Sequence, residues 1–473
     1  MRLTLSRVTR GWAIVGAVCL LAPLCLRPAH ASAPTLGLGR KRATVALGLP
    51  IVSPLRTVHV GQHPALVAVD ARDHRVFVAN EGPLTGDNVL PSQPGSVSMV
   101  DDRTGVVLRT VTVGQSSVAI AFDAPTRRVF VLSAGKISTV AGPASSGSSI
   151  AVLDAATGAL RRTVEVDPVL LTQSGAGAVP SARQALVVDS ASGRVYVVVA
   201  TGVLALDGAT GRVQRRIALG GQPSAAALDA AAGRLYVGDA YDPTIPTDPS
   251  PTGGTSRGFL AVVDLATGRV RANIVLGQQV VGAIAIDGHA GRVLVIEPNG
   301  ASERVIIDVF DARTGARLRT TTLTDTVGGG DCAVALDQAT GHAFVVYTPD
   351  GYWVNNGLGA VLYVLDTTSG MVRQTVPLTS GSGGYFLSRV VAIVRRPARV
   401  LVAITRGALS ASPGSVAVYS SNISVFDASG GRFLSTFPVG RGPHDVAIDE
   451  NTHHIFITNE HDNTLGVFDA LGL

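Results

Sequence analysis

The sequence predicts an all-β fold, a β-propeller of eight four-stranded antiparallel blades, and three observations predict it. First, Val439-Gly-Arg-Gly-Pro-His-Asp-Val-Ala-Ile-Asp449, followed by Ile455-Phe-Ile-Thr-Asn-Glu460, nearly copies an earlier stretch. That stretch is Val60-Gly-Gln-His-Pro-Ala-Leu-Val-Ala-Val-Asp70, followed by Val76-Phe-Val-Ala-Asn-Glu81. The same grammar recurs roughly every 50 residues between them, the mark of a repeat architecture. Second, 54 glycines punctuate a chain rich in Val and Ala, and aromatics are only 5%; this composition suits short strands and tight turns, not long helices. Third, the last repeat stops one strand short. The missing strand stands before the first repeat, where Leu55-Arg-Thr-Val-His-Val-Gly61 matches Leu108-Arg-Thr-Val-Thr-Val-Gly114.

Each unit begins with a small apolar run ending in Asp, as in Leu66-Val-Ala-Val-Asp70, Ala283-Ile-Ala-Ile-Asp287 and Ala333-Val-Ala-Leu-Asp337. Small side chains suit the innermost strand, where blades crowd towards the axis. A β-branched and aromatic strand follows, such as Arg75-Val-Phe-Val78 or Arg194-Val-Tyr-Val197, and its larger side chains fill the widening space between blades. The third strand ends in Asp and a Thr-Gly turn, as in Val262-Val-Asp-Leu-Ala-Thr-Gly268. Its carboxylate caps the turn, and the glycine takes the positive φ. The fourth strand carries Arg and Thr and often ends in Val-Gly or Leu-Gly. The first-strand motif occurs eight times, although Arg389-Val-Val-Ala-Ile-Val394 is degenerate and lacks the Asp. Discarding that unit leaves seven blades as the alternative. Residues 55–473 are expected to form one domain, behind a signal peptide (1–31) and a linker (32–54).

Val60-Gly-x-x-Pro, Val78-Ala-Asn-Glu81, Ile457-Thr-Asn-Glu460, Asn463-Thr-Leu-Gly-Val-Phe-Asp469 and the closing Thr-Gly turns give the chain its family likeness. It resembles the YVTN-type β-propeller repeat proteins of bacteria and archaea, which include surface-layer proteins and the periplasmic YncE-like group. The resemblance spans residues 55–473 and is strongest in the first and last units; the middle units lose the Asn-Glu pair. It implies a propeller located outside the cytoplasm. It implies no single activity, because related propellers include lyases, lactonases and quinoproteins.

Charge argues against a nucleic-acid partner. Arg2, Arg7, Arg10 and Arg27 lie in the leader, so the formal charge of +5 falls to about +1 without it. The remaining arginines are scattered over turns, whereas a polyanion binder concentrates its basic face. Arg40-Lys41-Arg42 is the densest basic run. Arg2, Arg7 and Arg10 precede an apolar stretch over 11–26, and Ala29-His30-Ala31 offers a cleavage site before Ser32. That stretch is short for a membrane span and is broken by Pro23. Val18 and Leu24, before Cys19 and Cys25, are too bulky for lipid attachment. Cys332, in the apolar run Cys332-Ala-Val-Ala-Leu336, is then the sole cysteine and is expected to be a buried, unreactive thiol. The expected product is a secreted or periplasmic monomer with no transmembrane segment in the mature chain.

The loop into the first strand and the loop between the second and third strands share one end of a blade, so both line one mouth of the central channel. His63 and His444 come from the first set; Asn80, Glu81, Asp239, Glu297, Asn459, Glu460, His461 and Asp462 come from the second. Closure makes the first and last units neighbours. His63, Glu81, His444, Glu460 and His461 are therefore candidates for a divalent cation or acid–base site, and otherwise they are loop-capping residues of the repeat. His453-His454 falls at the opposite end and reads as a solvated turn. No haem-attachment motif, phosphate loop or nucleophile elbow is present, and no cofactor beyond that cation is expected. Long loops over 82–95, 133–149, 240–258 and 406–422 gather at the mouth. Tyr241, Tyr352, Trp353 and Tyr385 in or near such loops could stack on a sugar or peptide. Two functions follow: a non-catalytic scaffold binding a protein or cell-envelope ligand, or a metal-dependent propeller enzyme of the lyase or lactonase type.

Overall fold

The computed structural model describes residues 52–83, 93–138, 144–169, 182–219, 223–239, 258–276, 281–299, 304–323, 330–349, 359–378, 385–387, 390–409 and 416–473. Eight antiparallel sheets, one per repeat, form eight blades spanning 64–112, 117–165, 186–218, 223–275, 283–322, 330–377, 385–438 and 443–469. The innermost strand of each blade touches that of the next, and the strand Pro443–Asp449 of blade 8 returns to Pro64–Asp70 of blade 1, so the ring is closed. Blade 8 supplies three strands and borrows its outermost from Arg56–His59, which runs antiparallel to Thr464–Asp469 with Arg56 opposite Val467 and His59 opposite Thr464. The eight-blade expectation and its closure by the 55–61 segment both hold.

Local chemistry explains the repetition. At the end of the third strand, Asp101, Asp154, Asp207, Asp264, Asp311 and Asp366 each accept a backbone N–H from the Thr or Ser three residues on. The glycine that follows sits at positive φ and bonds back to the same Asp carbonyl, for example Gly268 N–H to Asp264 O at 2.7 Å. Outer strands are wet and carry arginines that return to this Asp, as Arg161 does to Asp154 and Arg373 to Asp366. Phe77, Phe130, Tyr196, Tyr236, Phe344 and Phe456, all on second strands, are fully buried between blades. Cys332 is buried, as expected.

The expected loops over 133–149 and 406–422 need correction, whereas the degenerate unit bears out the eight-blade reading. The degenerate unit is a true blade whose inner position is split: Val391–Val394 and Tyr385–Leu387 both pair with Arg399–Leu409. The stretch 406–422 is mostly not loop. Arg399–Leu409 and Val416–Asp427 pair as a long hairpin out to Leu409 opposite Val416. A smaller hairpin, Lys136–Ser138 with Ala144–Ser146, rises from blade 2 within the expected 133–149 loop. Serine- and glycine-rich composition hid both, because it lacks the apolar alternation that marks a strand in a sequence. The leader and the 240–257 loop lie outside the described residues.

Candidate functional site

Blades 8 and 1, which meet at the closure seam, carry His63, Asn80, Glu81, His444, Asn459, Glu460 and His461. At the mouth, the backbone of the loop after the second strand pairs with the loop before the first: Glu81 N–H donates to His63 O at 2.9 Å, and Glu460 N–H to Gly442 O at 2.8 Å. Both sets of loops therefore do share one end. Asn463, in the left-handed region, accepts the His63 N–H on Oδ1 at 2.9 Å, and its carbonyl accepts Val60 N–H. These contacts hold His63 against blade 8. Its Nδ1 lies 3.9 Å from Glu460 Oε1. Burial lowers the His63 pKa from its usual 6.5, with Glu460 opposing the shift and His461 adding to it.

His444 turns away from this pair. Its Nδ1 bonds to Ala65 O at 2.7 Å, while Asp445 Oδ2 accepts Val67 N–H at 3.0 Å. Together the two side chains satisfy one donor and one acceptor on the inner strand of blade 1, as an added strand would. Asp445 went unsuspected in the sequence. Its signal was a charged residue inside a strand that the other repeats build from Ala, Val and Ile.

Asn80 and Asn459 are buried framework. Asn80 Nδ2 donates to Ser96 and Ser98 hydroxyls at 3.1 Å each, and Asn459 Nδ2 to Thr464 Oγ1 at 3.1 Å. A Cβ on Gly61 would fall 2.6 Å from Asn80 Cγ, and one on Gly440 would fall 2.5 Å from Asn459 Cγ. The Val-Gly-x-x-Pro glycine thus makes room for the Asn amide. Glu81 is half-buried and His461 exposed. Arg441 donates to Asp462 at 2.6 Å. Glu297 is fully buried in blade 5. Of the loop aromatics, Tyr241, Tyr352 and Trp353 lie outside the described residues, and the backbone of Tyr385 pairs with Gly407.

Across the ring, Gln184, in the short 3-10 turn Ala182–Ala185 of blade 3, donates to Ile284 O at 2.7 Å and accepts Ile284 N–H at 2.9 Å. Ile284 belongs to the inner strand of blade 5, so this amide bridges two non-adjacent blades.

The opposite end of the seam corrects the reading of His453-His454 as a solvated turn. His454 Nδ1 lies 2.5 Å from Asp102 Oδ1, and the Asp102 side chain is fully buried. His74 Nδ1 stands 3.8 Å from Asp102 Oδ2. His74, Asp102 and Asp449 each present a ligand atom within 4.8 Å of the others. Among the described residues this is the one trio of His, Cys, Asp or Glu with such spacing, and the mouth residues do not form another.

No protein-family model matches the chain, and no curated protein matches it. Solved structures do. The computationally designed Ika8 protein is 16% identical, with a TM-score of 0.53 over 87% of this chain and 98% of its own. Hydrazine synthase of Kuenenia stuttgartiensis is 15% identical, with a TM-score of 0.49 over 75% of this chain and 96% of its own. At such identity the first likeness speaks to the fold alone: this chain is an eight-bladed β-propeller.

Proposed function

We propose that this chain is an extracytoplasmic YVTN-type propeller acting as a non-catalytic scaffold, which binds a protein or cell-envelope ligand at the mouth bearing its long second-to-third-strand connections. One observation carries the reading. Strand-paired hairpins extend from blades 2 and 7 at that end, and ordered extensions of a rigid ring are a common way to build a recognition surface. The mouth histidines and asparagines also serve the fold: His444, Asn80 and Asn459 bond to backbone or to neighbouring hydroxyls. The enzyme alternative draws on the His63–Glu460 pair.

The test is co-sedimentation of the purified chain with isolated cell envelopes. A variant with the 136–146 and 405–421 hairpins cut to Asn-Gly turns should lose retention while keeping its circular dichroism. Equal retention of both proteins, or none by either, overturns the scaffold reading. Turnover of lactones or uronate polysaccharides that disappears in His63→Ala would establish the enzyme instead.

A further inference from the structure

The geometry points to a divalent transition-metal site at the end of the closure seam opposite the mouth, with His74, Asp102 and Asp449 as ligands and His454 holding Asp102 in place. The argument starts from what the repeat does elsewhere. The first-strand Asp uses Oδ1 to cap its turn, as Asp449 does for the N–H groups of Asn451 and Thr452. In blades 3 and 6 its Oδ2 accepts within the same turn, from Ser192 and Thr340, whereas in blades 1 and 5 it points to the next blade and there meets a donor. Asp287 Oδ2 accepts from Thr367 Oγ1 at 2.6 Å, and Asp70 Oδ2 faces Arg127 at 3.4 Å. At the 8/1 seam the residue in the place of Thr367 is Asp102. An acceptor faces an acceptor.

Asp102 departs from its own repeat. The position after the third-strand Asp is Ala155, Ala312, Ala428 and Ala470 in four blades, and Gly, Leu or Thr in the other three. The residue before the second strand is glycine at positive φ in blades 3 to 6 (Gly193, Gly233, Gly291 and Gly341), whereas blades 1, 2 and 8 hold His74, Arg127 and His453 there, at φ 55°, 55° and 60°. A side chain in that backbone region costs of order 1 kcal/mol relative to glycine, so the imidazole is placed there against local preference.

Asp102 and Asp449 are each 1% exposed. His74 Nδ1, Asp102 Oδ2 and Asp449 Oδ2 are all buried atoms with no hydrogen-bond partner. Two buried carboxylate oxygens and an imidazole nitrogen, mutually within 4.8 Å, form a donor set suited to zinc or a similar ion. Tetrahedral coordination at ordinary bond lengths separates ligand atoms by about 3.4 Å, so an inward shift of roughly an ångström completes the site. The His454 bond to Asp102 Oδ1 is the outer contact that ligating carboxylates commonly have. His74 is 21% exposed and gives the ion a route in.

Such an ion would pin blade 8 to blade 1, and the test is direct. The purified chain, stripped with EDTA and dialysed, is titrated with Zn²⁺ by calorimetry and with Co²⁺ by visible absorption. One ion per chain is expected, with cobalt d–d bands and a higher melting temperature. Asp102→Ala and His74→Gly restore residues the repeat already tolerates, so both variants should fold while losing the ion. His454→Asn should weaken binding by about 10- to 100-fold. His63→Ala and Glu460→Ala, at the mouth, should bind as wild type does. Absence of stoichiometric binding in the wild type, or binding that survives Asp102→Ala, overturns the assignment.

Discussion

Replacing Val58 with Ala tests whether ring closure rests on the borrowed strand. Val58 is 6% exposed and packs against Val76, Val100, Phe456, Leu465 and Val467, which span blades 1 and 8. Its neighbour Thr57 belongs to the same strand and keeps equivalent backbone pairing opposite Gly466, but points to solvent. Removing two buried methyl groups costs about 1.6 kcal/mol in transfer and roughly 2 kcal/mol once the small cavity is included. Thr57→Ala should stay within about 0.5 kcal/mol. Urea unfolding followed by circular dichroism reads both as midpoint shifts at constant slope. Hydrogen exchange then locates the loss, because Leu465 and Val467 amides should open faster in Val58→Ala while those of blades 3 to 5 stay protected. Equal midpoints for the two variants would refute a stabilising role for Val58 burial in the closure.

Asp445→Ala leaves the Val67 N–H without its carboxylate, so unfolding should become easier by about 2 kcal/mol, and Asp445→Asn should recover part of this. His63 has a pKa lowered mainly by burial, so the unfolded chain binds more protons than the folded one just below pH 6.5. Stability should therefore fall as the pH drops through that window, and His63→Gln should flatten this slope in denaturant titrations. Asp264 is held at about 2 by the Thr267 N–H and hydroxyl and by Arg271, and Asp366 at about 2 chiefly by Arg373. Both contribute stability that is complete above pH 3.8 and lost as the pH falls towards 2. Acid unfolding curves of the Asp264→Asn, Asp366→Asn double variant should be shallower there.

The blades were legible because their signals are local. An Asp at the end of a third strand caps its own turn whatever lies in the next blade, so the pattern survives in the sequence. Closure was legible because residues 55–61 copy the strand at 108–114. The seam was not. Asp102 follows Asp101 in a turn and reads as ordinary turn chemistry until Asp449, from the other end of the repeats, is placed beside it. His454 takes the position of Arg75 and Arg128, and so passes for a solvated cation. Asp102 breaks its column of the repeat, whereas His454 shares its column with His342 of blade 6 and so carries no such mark. At the mouth, sequence places the loops, but side-chain direction decides that His444 serves a backbone carbonyl while His63 faces Glu460.

The borrowed strand also has a consequence in time. The His63 N–H and its Asn463 acceptor lie 400 residues apart in the chain, and Arg56–His59 pairs across a similar span. Closing so long a loop, compared with one of about 50 residues, costs only about 2 kcal/mol more, because the penalty grows logarithmically. The order of events is constrained more severely. Arg56–His59 emerges first of the described strands, and its partner, Thr464–Asp469, emerges last. Every other blade can zip while synthesis continues. The eighth must wait, and until then Arg56–His59 and the edge of Thr464–Asp469 that it covers are open strands able to pair with another chain. Crowded nascent chains would then be prone to exchange this one strand between molecules before any other.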